Sequence, residues 1–89
     1  MIMDEDEGGA LAGAAVLEAV ANQMRDGDPP ETQETYDRLI SVGHSDKEAR
    51  RLIACALAAE MFTILKKQEV FDPVRYITAL RKLPELPED

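Results

Sequence analysis

Apolar residues recur at helical spacing along most of this chain, and they divide it into four segments. In the first, Leu11, Ala14, Leu17, Val20, Ala21 and Met24 form one stripe, with Glu18 and Gln23 away from it. Tyr36, Leu39 and Ile40 mark the second, opposite Glu34, Asp37 and Arg38. The third segment differs in kind. From Leu52 to Leu65, twelve of fourteen residues are apolar, and they go almost all the way round a helix. A helix apolar on every side belongs among other elements rather than on a surface, so this run predicts a central helix covered by the other three. Val74, Ile77, Leu80 and Leu83 give the fourth segment its inner side. No strand-like alternation and no repeat of fixed period interrupts the pattern.

Start and stop signals bracket these segments. Asp28 reads as an N-cap, with Pro29 at the first helical position and Glu31 three residues on. Ser45 with Glu48 repeats the device, and Asp72-Pro73 opens the last helix. Asp26-Gly27 ends the first helix, Gly43 supplies a left-handed stop, and Pro84 stops the fourth. Lys66 and Lys67 close the third helix, where cations favour the helix dipole. The sequence thus predicts an all-α fold, a compact bundle of four helices over about 9–26, 29–42, 46–67 and 73–83 with the third central. Residues 9–84 form a single helical domain in this reading, between an acidic N-terminal tail (1–8) and a C-terminal tail (85–89), both expected to be disordered. The short links make successive helices antiparallel neighbours.

Composition adds a constraint on stability. The chain has 89 residues, no Trp, two Phe and two Tyr, so its core is thin in large side chains. A domain of this size draws modest stability from such a core alone, and association with a copy of itself or with another protein is expected. The net charge of −8 says less about partners than its size suggests. Seven of the 18 acids lie in the two tails, and residues 8–84 hold 11 acids against 10 bases. A nearly neutral body argues against binding nucleic-acid phosphates. Within it, residues 8–45 carry six acids and two bases, and residues 46–84 five acids and eight bases. Complementary packing of acidic and basic helices accounts for that segregation.

The single cysteine, Cys55, excludes an internal disulfide. The N-terminal MIMDEDEGG has neither the basic nor the apolar region of a secretory signal. The apolar run is too short to span a bilayer and carries a charge. A cytoplasmic protein with no membrane partner is expected.

Chemistry has few footholds. Glu60, the one charge in the apolar run, is costly to bury unless paired or protonated. The structural reading places it at the bundle rim beside a base such as Arg38, Arg75 or Arg81. The chemical reading makes it a metal ligand or an acid–base group, joined by Glu18 and His44. Carboxylate metal sites in helical bundles use several ligands, typically with Glu-x-x-His pairs, and this chain has no such pair. His44, the sole histidine, falls in the turn before the Ser45 cap and reads as a surface or capping residue. Cys55 reads as a small core residue. There is no glycine-rich phosphate loop and no Cys/His zinc spacing. Lys66, Lys67, Arg75, Arg81 and Lys82 are read as helix-end cations, since only Phe71 and Tyr76 accompany them.

Two resemblances appear. The turn in LISVGHSDKEARRLIACAL, residues 39–57, looks like the loop between the first two helices of ubiquitin-associated domains. It departs from them in two ways. His44 stands where those domains prefer a large apolar residue, and the helix that follows is too long. The likeness is therefore one of turn chemistry. Across residues 14–83 the chain resembles a family of small bacterial helical proteins known as a domain of unknown function. Asn22-Gln23, the Pro29-Pro30 helix start, the Gly43 turn and Phe71-Asp72 leading to Arg75-Tyr76 carry that likeness. Some members of that family have histidines at the positions of Arg51 and Glu60, so this chain departs from any metal role they suggest. The resemblance implies a bacterial, helical protein with no established activity.

The leading functional expectation is a non-catalytic protein-interaction module or homodimer, with an unidentified protein partner or self-association. It needs no catalytic residues, cofactor or metal. The alternatives are a metal-binding or enzymatic bundle built on Glu60, and a nucleic-acid-associated regulator using the positive second half.

Overall fold

Ser45 sets the start of the longest well-packed element. Its hydroxyl accepts a 3.1 Å hydrogen bond from the Glu48 amide, which satisfies one of the free N–H groups of the first turn. In a computed structural model describing residues 5–87 (side chains from residue 13 onward), this cap opens a helix of 22 residues. The described residues form four helices and no strand: α1 (Glu5–Asp26), α2 (Pro30–Ser41), α3 (Asp46–Lys67) and α4 (Pro73–Lys82). Helix α3 packs against each of the other three, which makes the chain an all-α bundle with the third helix central. No helix among the described residues is long and apolar enough to cross a membrane.

The expected boundaries of α3 hold, and those of α4 hold to within one residue. Helix α1 begins four residues earlier than expected, within the acidic segment. The remainder of the tails that the sequence suggested to be disordered, residues 1–4 and 88–89, lies outside the described residues.

The start of α2 corrects the expected capping box. Pro29, not Asp28, is the N-cap, and it makes no side-chain capping bond. The cause is the second proline. A residue that precedes proline is held out of the helical region, and Pro29 sits at φ −75° and ψ 149° so that Pro30 takes the first turn. The Asp28–Pro29 bond is cis.

The C-terminal ends of α1, α2 and α3 share one device. Gly43, at φ +108°, lets the His44 amide reach the Leu39 carbonyl (3.0 Å) and its own amide reach Ile40 (3.0 Å), the paired bonds of a Schellman motif. Gly27, at φ +64°, closes α1 with a bond from the Asp28 amide to Gln23. The end of α3 does the same with Gln68 at φ +55°, where no glycine announces the stop.

The core consists of Val20, Leu39, Leu52, Ile53, Leu57, Tyr76, Leu80 and Leu83, with alanines of α3 filling between them. Its residues only partly follow the expected stripes. On α1 the inner face is Val16, Ala19 and Val20, whereas Ala14 and Leu17 are exposed. On α2 it is Thr32, Thr35 and Leu39, with Ile40 exposed. On α4, Tyr76 takes the inward position and Val74 is exposed. The common reason is polar. Thr32 and Tyr76 each donate a 2.8 Å hydrogen bond to Oε1 of Gln23, which ties three helices at one point. Turning Gln23 inward shifts the inner face of α1 by about one position, whereas α4 keeps Leu80 and Leu83 inside as expected and adds Tyr76 to them.

Arg38 departs from its expected place on the outer face of α2. Its guanidinium donates to the Leu83 carbonyl at 2.7 Å and the Leu80 carbonyl at 3.0 Å. A cation on the free carbonyls of a helix C-terminus is favoured by both hydrogen bonding and the dipole, so Arg38 ties α2 to the end of α4.

The positive φ of Gln68 yields a direct expectation. A Cβ in the left-handed region costs about 1 kcal/mol. Gln68→Gly is expected to raise the unfolding free energy by about 0.5–1 kcal/mol, read from urea unfolding followed by circular dichroism. An unchanged or lower midpoint would count against this account of the α3 terminus.

Candidate functional site

The sequence singled out Glu60, and the structure gives it a full set of partners. It lies on α3, 4% exposed, facing the start of α4. Arg75 donates to it through two nitrogens, Nε to Oε1 and Nη2 to Oε2, the latter at 2.7 Å. The Asp72 amide adds a 3.2 Å bond to Oε2. Arg75 also reaches Glu69 through Nη1 at 2.8 Å. The fork geometry of a guanidinium against a carboxylate is the strong form of this pairing. The Glu60 carboxyl is held below its usual range, first by the Arg75 hydrogen bonds and then by the Asp72 amide, against the opposing effect of burial. Arg75 is correspondingly held above its ordinary value by Glu60 and Glu69.

Of the three bases named as partners for Glu60, Arg75 is the one that fills the role. The position of Arg75 follows from local chemistry. Asp72 caps α4 by accepting from the amides of Val74 and Arg75 at 3.0 and 3.3 Å, and Pro73 fits the first turn. That cap fixes the first turn of α4 against α3, with Arg75 over Glu60. The arrangement is a clamp between two helices.

His44 and Glu18 do not join it. His44 Nδ1 lies 2.9 Å from Glu48 at the start of α3, and its backbone belongs to the Gly43 turn. Glu18 is exposed on α1. Among the described residues no three of His, Cys, Asp and Glu come close enough to share a metal ion. Cys55 is half-buried, not fully in the core, in a shallow groove of about 230 Å³ between α1 and α3 that Leu17, Arg51 and Ala58 also line.

A different feature was missed by the sequence reading. Only the first half of the apolar run is covered. Leu52, Ile53, Ala54, Ala56 and Leu57 are buried, and burial ends at Glu60. Beyond it, Met61 is 46% exposed, Phe62 56% and Leu65 78%. In the connector and at the start of α4, Val70, Phe71 and Val74 are exposed as well. Both phenylalanines of the chain therefore lie largely outside the core. Two adjoining grooves of about 440 and 430 Å³ run beside this surface, sharing Arg75 and Pro87 and carrying Lys66, Lys67 and Lys82. One signal was available in the sequence: Val70 and Phe71 stand together in a connector, where a solvated loop would carry polar residues.

The comparisons with known proteins are negative throughout: no family model matches the chain, no curated protein is similar to it, and no solved structure matches it.

The clamp makes a test with a worked sign. The folded-state pKa of Glu60 is depressed, so its contribution is present above the unfolded value of about 4.3 and is lost as pH falls through the folded value. Glu60→Gln is expected to lower the unfolding free energy at neutral pH by about 2 kcal/mol and to flatten the acid limb of stability against pH. Denaturant melts between neutral pH and about pH 3 would show it. An acid limb as steep in the variant as in the parent would sink this account of the pair.

The polar knot offers a comparison of two variants. Tyr76→Phe leaves Gln23 bonded to Thr32 and is expected to cost about 1 kcal/mol. Gln23→Leu leaves the buried hydroxyls of Thr32 and Tyr76 without their acceptor and is expected to cost about 2–3 kcal/mol. Thermal melts order the two, and the reverse order would contradict the role given to Gln23.

Proposed function

We propose that this protein is a non-catalytic interaction module that works by burying apolar helix surface against another polypeptide. The observation that supports it is the inversion of burial at the far end of α3. Ten large apolar side chains are at least 39% exposed, among them Phe62, Leu65, Val70, Phe71 and Val74, which follow one another along α3, the connector and α4. Single exposed apolar residues are ordinary, but Ala58, Met61, Phe62 and Leu65 share one exposed face of α3, and an uncovered apolar helix face is the form an interaction surface takes. The candidate chemical residues are spoken for within the fold: Glu60 by Arg75 and Asp72, and His44 by Glu48. The reading includes a cytoplasmic, bacterial setting, and a partner that is a protein rather than a nucleic acid, in keeping with the nearly neutral body of the chain.

The test compares capture by the parent chain and by the double variant Phe62→Ser, Leu65→Ser. Both side chains are exposed, so the variant is expected to retain its helical circular dichroism. In crosslinked extracts of the source cell, the parent is expected to trap at least one polypeptide, itself included, that the variant loses. Identical trapping by parent and variant would contradict the proposal.

A further inference from the structure

The four helices do not share the core evenly. Helices α2, α3 and α4 each pack on the other two, while α1 packs on α2 and α3 and reaches α4 through the bond from the Tyr76 hydroxyl to Gln23. Seven of the eight large core side chains stand on α2, on α3, and on α4 with the residue that caps it. Among its described side chains, α1 contributes Val20, with Val16 and Ala19 half-buried beside it. The rest of its seam with α3 is not closed. Gly13, Val16 and Leu17 face Ala54, Cys55 and Ala58 across the groove of about 230 Å³. Side chains lining such a gap forgo part of the dispersion attraction that close packing supplies.

Helix α4 is the shorter element, with 10 residues against 22, so length alone would make it the loose one. Burial decides otherwise. Tyr76, Leu80 and Leu83 are each at most 1% exposed, Arg75 ties the start of α4 to Glu60, and Arg38 ties its end. Apolar area removed from water is the main hold on a helix, and α1 has one such side chain where α4 and its cap have three. The polar tie of α1 does not make up the difference. When α1 leaves, the hydroxyls of Thr32 and Tyr76 lose Gln23 but exchange it for water, so the net loss is small. Elements with few buried apolar contacts open at lower free energy than the core they rest on.

We infer that α1 is a detachable cover of α3: it opens while α2, α3 and α4 stay packed on one another, and its opening bares the side of α3 that carries Ala54, Cys55 and Ala58. Ala58 lies three and four residues before Met61 and Phe62, so the bared side continues into their exposed face. The open form therefore presents a longer apolar face of α3 than the closed one. This inference stands on the packing of α1 and does not depend on what binds at Met61, Phe62 and Leu65.

The experiment is native-state amide hydrogen exchange on the intact chain across a urea series below the unfolding transition. Amides of residues 16–24 are expected to be about tenfold or more less protected than those of residues 52–57, with a shallower dependence on urea. Glu60→Gln supplies a second reading. Glu60 and Arg75 join α3 to α4, which remain together when α1 opens. The variant is therefore expected to lower protection at residues 52–57 and to leave that at residues 16–24 unchanged. Equal protection and equal urea dependence in α1 and α3 would overturn the inference, since the chain would then open as one unit. So would amides of α4 less protected than those of α1, or a fall of the same factor at both sites in the variant. If the variant does not fold, the urea series on the parent decides alone.

Discussion

A carboxylate in the middle of an apolar helix has to be neutralised or paired, and the bidentate bond from Arg75 to Glu60 meets that demand. Much of the structure is arranged around it. Arg75 reaches Glu60 because Asp72 caps α4 and Pro73 starts it, so the pair fixes α4 against α3. The same pair marks a boundary along α3. On its N-terminal side the helix is wrapped by α1, α2 and α4, and on its C-terminal side it emerges with its apolar side chains uncovered. The boundary separates the covered part of α3 from the part on which Met61, Phe62 and Leu65 are exposed.

The remaining polar contacts act at the ends and seams of helices rather than at a reaction centre. Gln23 gathers the hydroxyls of Thr32 and Tyr76, and Arg38 covers the last carbonyls of α4. Burial holds the Tyr76 hydroxyl above its ordinary value. No buried side-chain nitrogen or oxygen among the described residues lacks a partner. These bonds explain how a core with only eight large apolar residues holds one arrangement: polar ties between helices supply the specificity that large side chains supply elsewhere.

The sequence made most of the fold legible because caps are local. Ser45, Asp72 and Gly43 act through backbone groups within a few residues, and each was identifiable from its own neighbourhood. The long-range facts were not. Counting apolar letters assigned Leu17, Ile40 and Val74 to the inside, because nothing local tells that Gln23, Thr32 and Tyr76 turn inward together. Glu60 was recognisable as a residue in need of a base, and Arg75 stood among the candidates. The open end of α3 was not recognisable, since an apolar run reads the same whether its cover comes from its own chain or from another. The run from Leu52 to Leu65 is one continuous signal in the sequence, although its two halves differ in burial.

The central proposal is that the chain buries the exposed face of α3 around Met61, Phe62 and Leu65 against another polypeptide, itself included. Amide spectra of the ¹⁵N-labelled protein, recorded dilute, concentrated and in extract of the source cell, test it residue by residue. The resonances of residues 58–65 are predicted to shift or broaden on concentration or in extract while those of the α1–α2 turn stay fixed. Spectra that change in neither condition, or only away from residues 58–65, would contradict it.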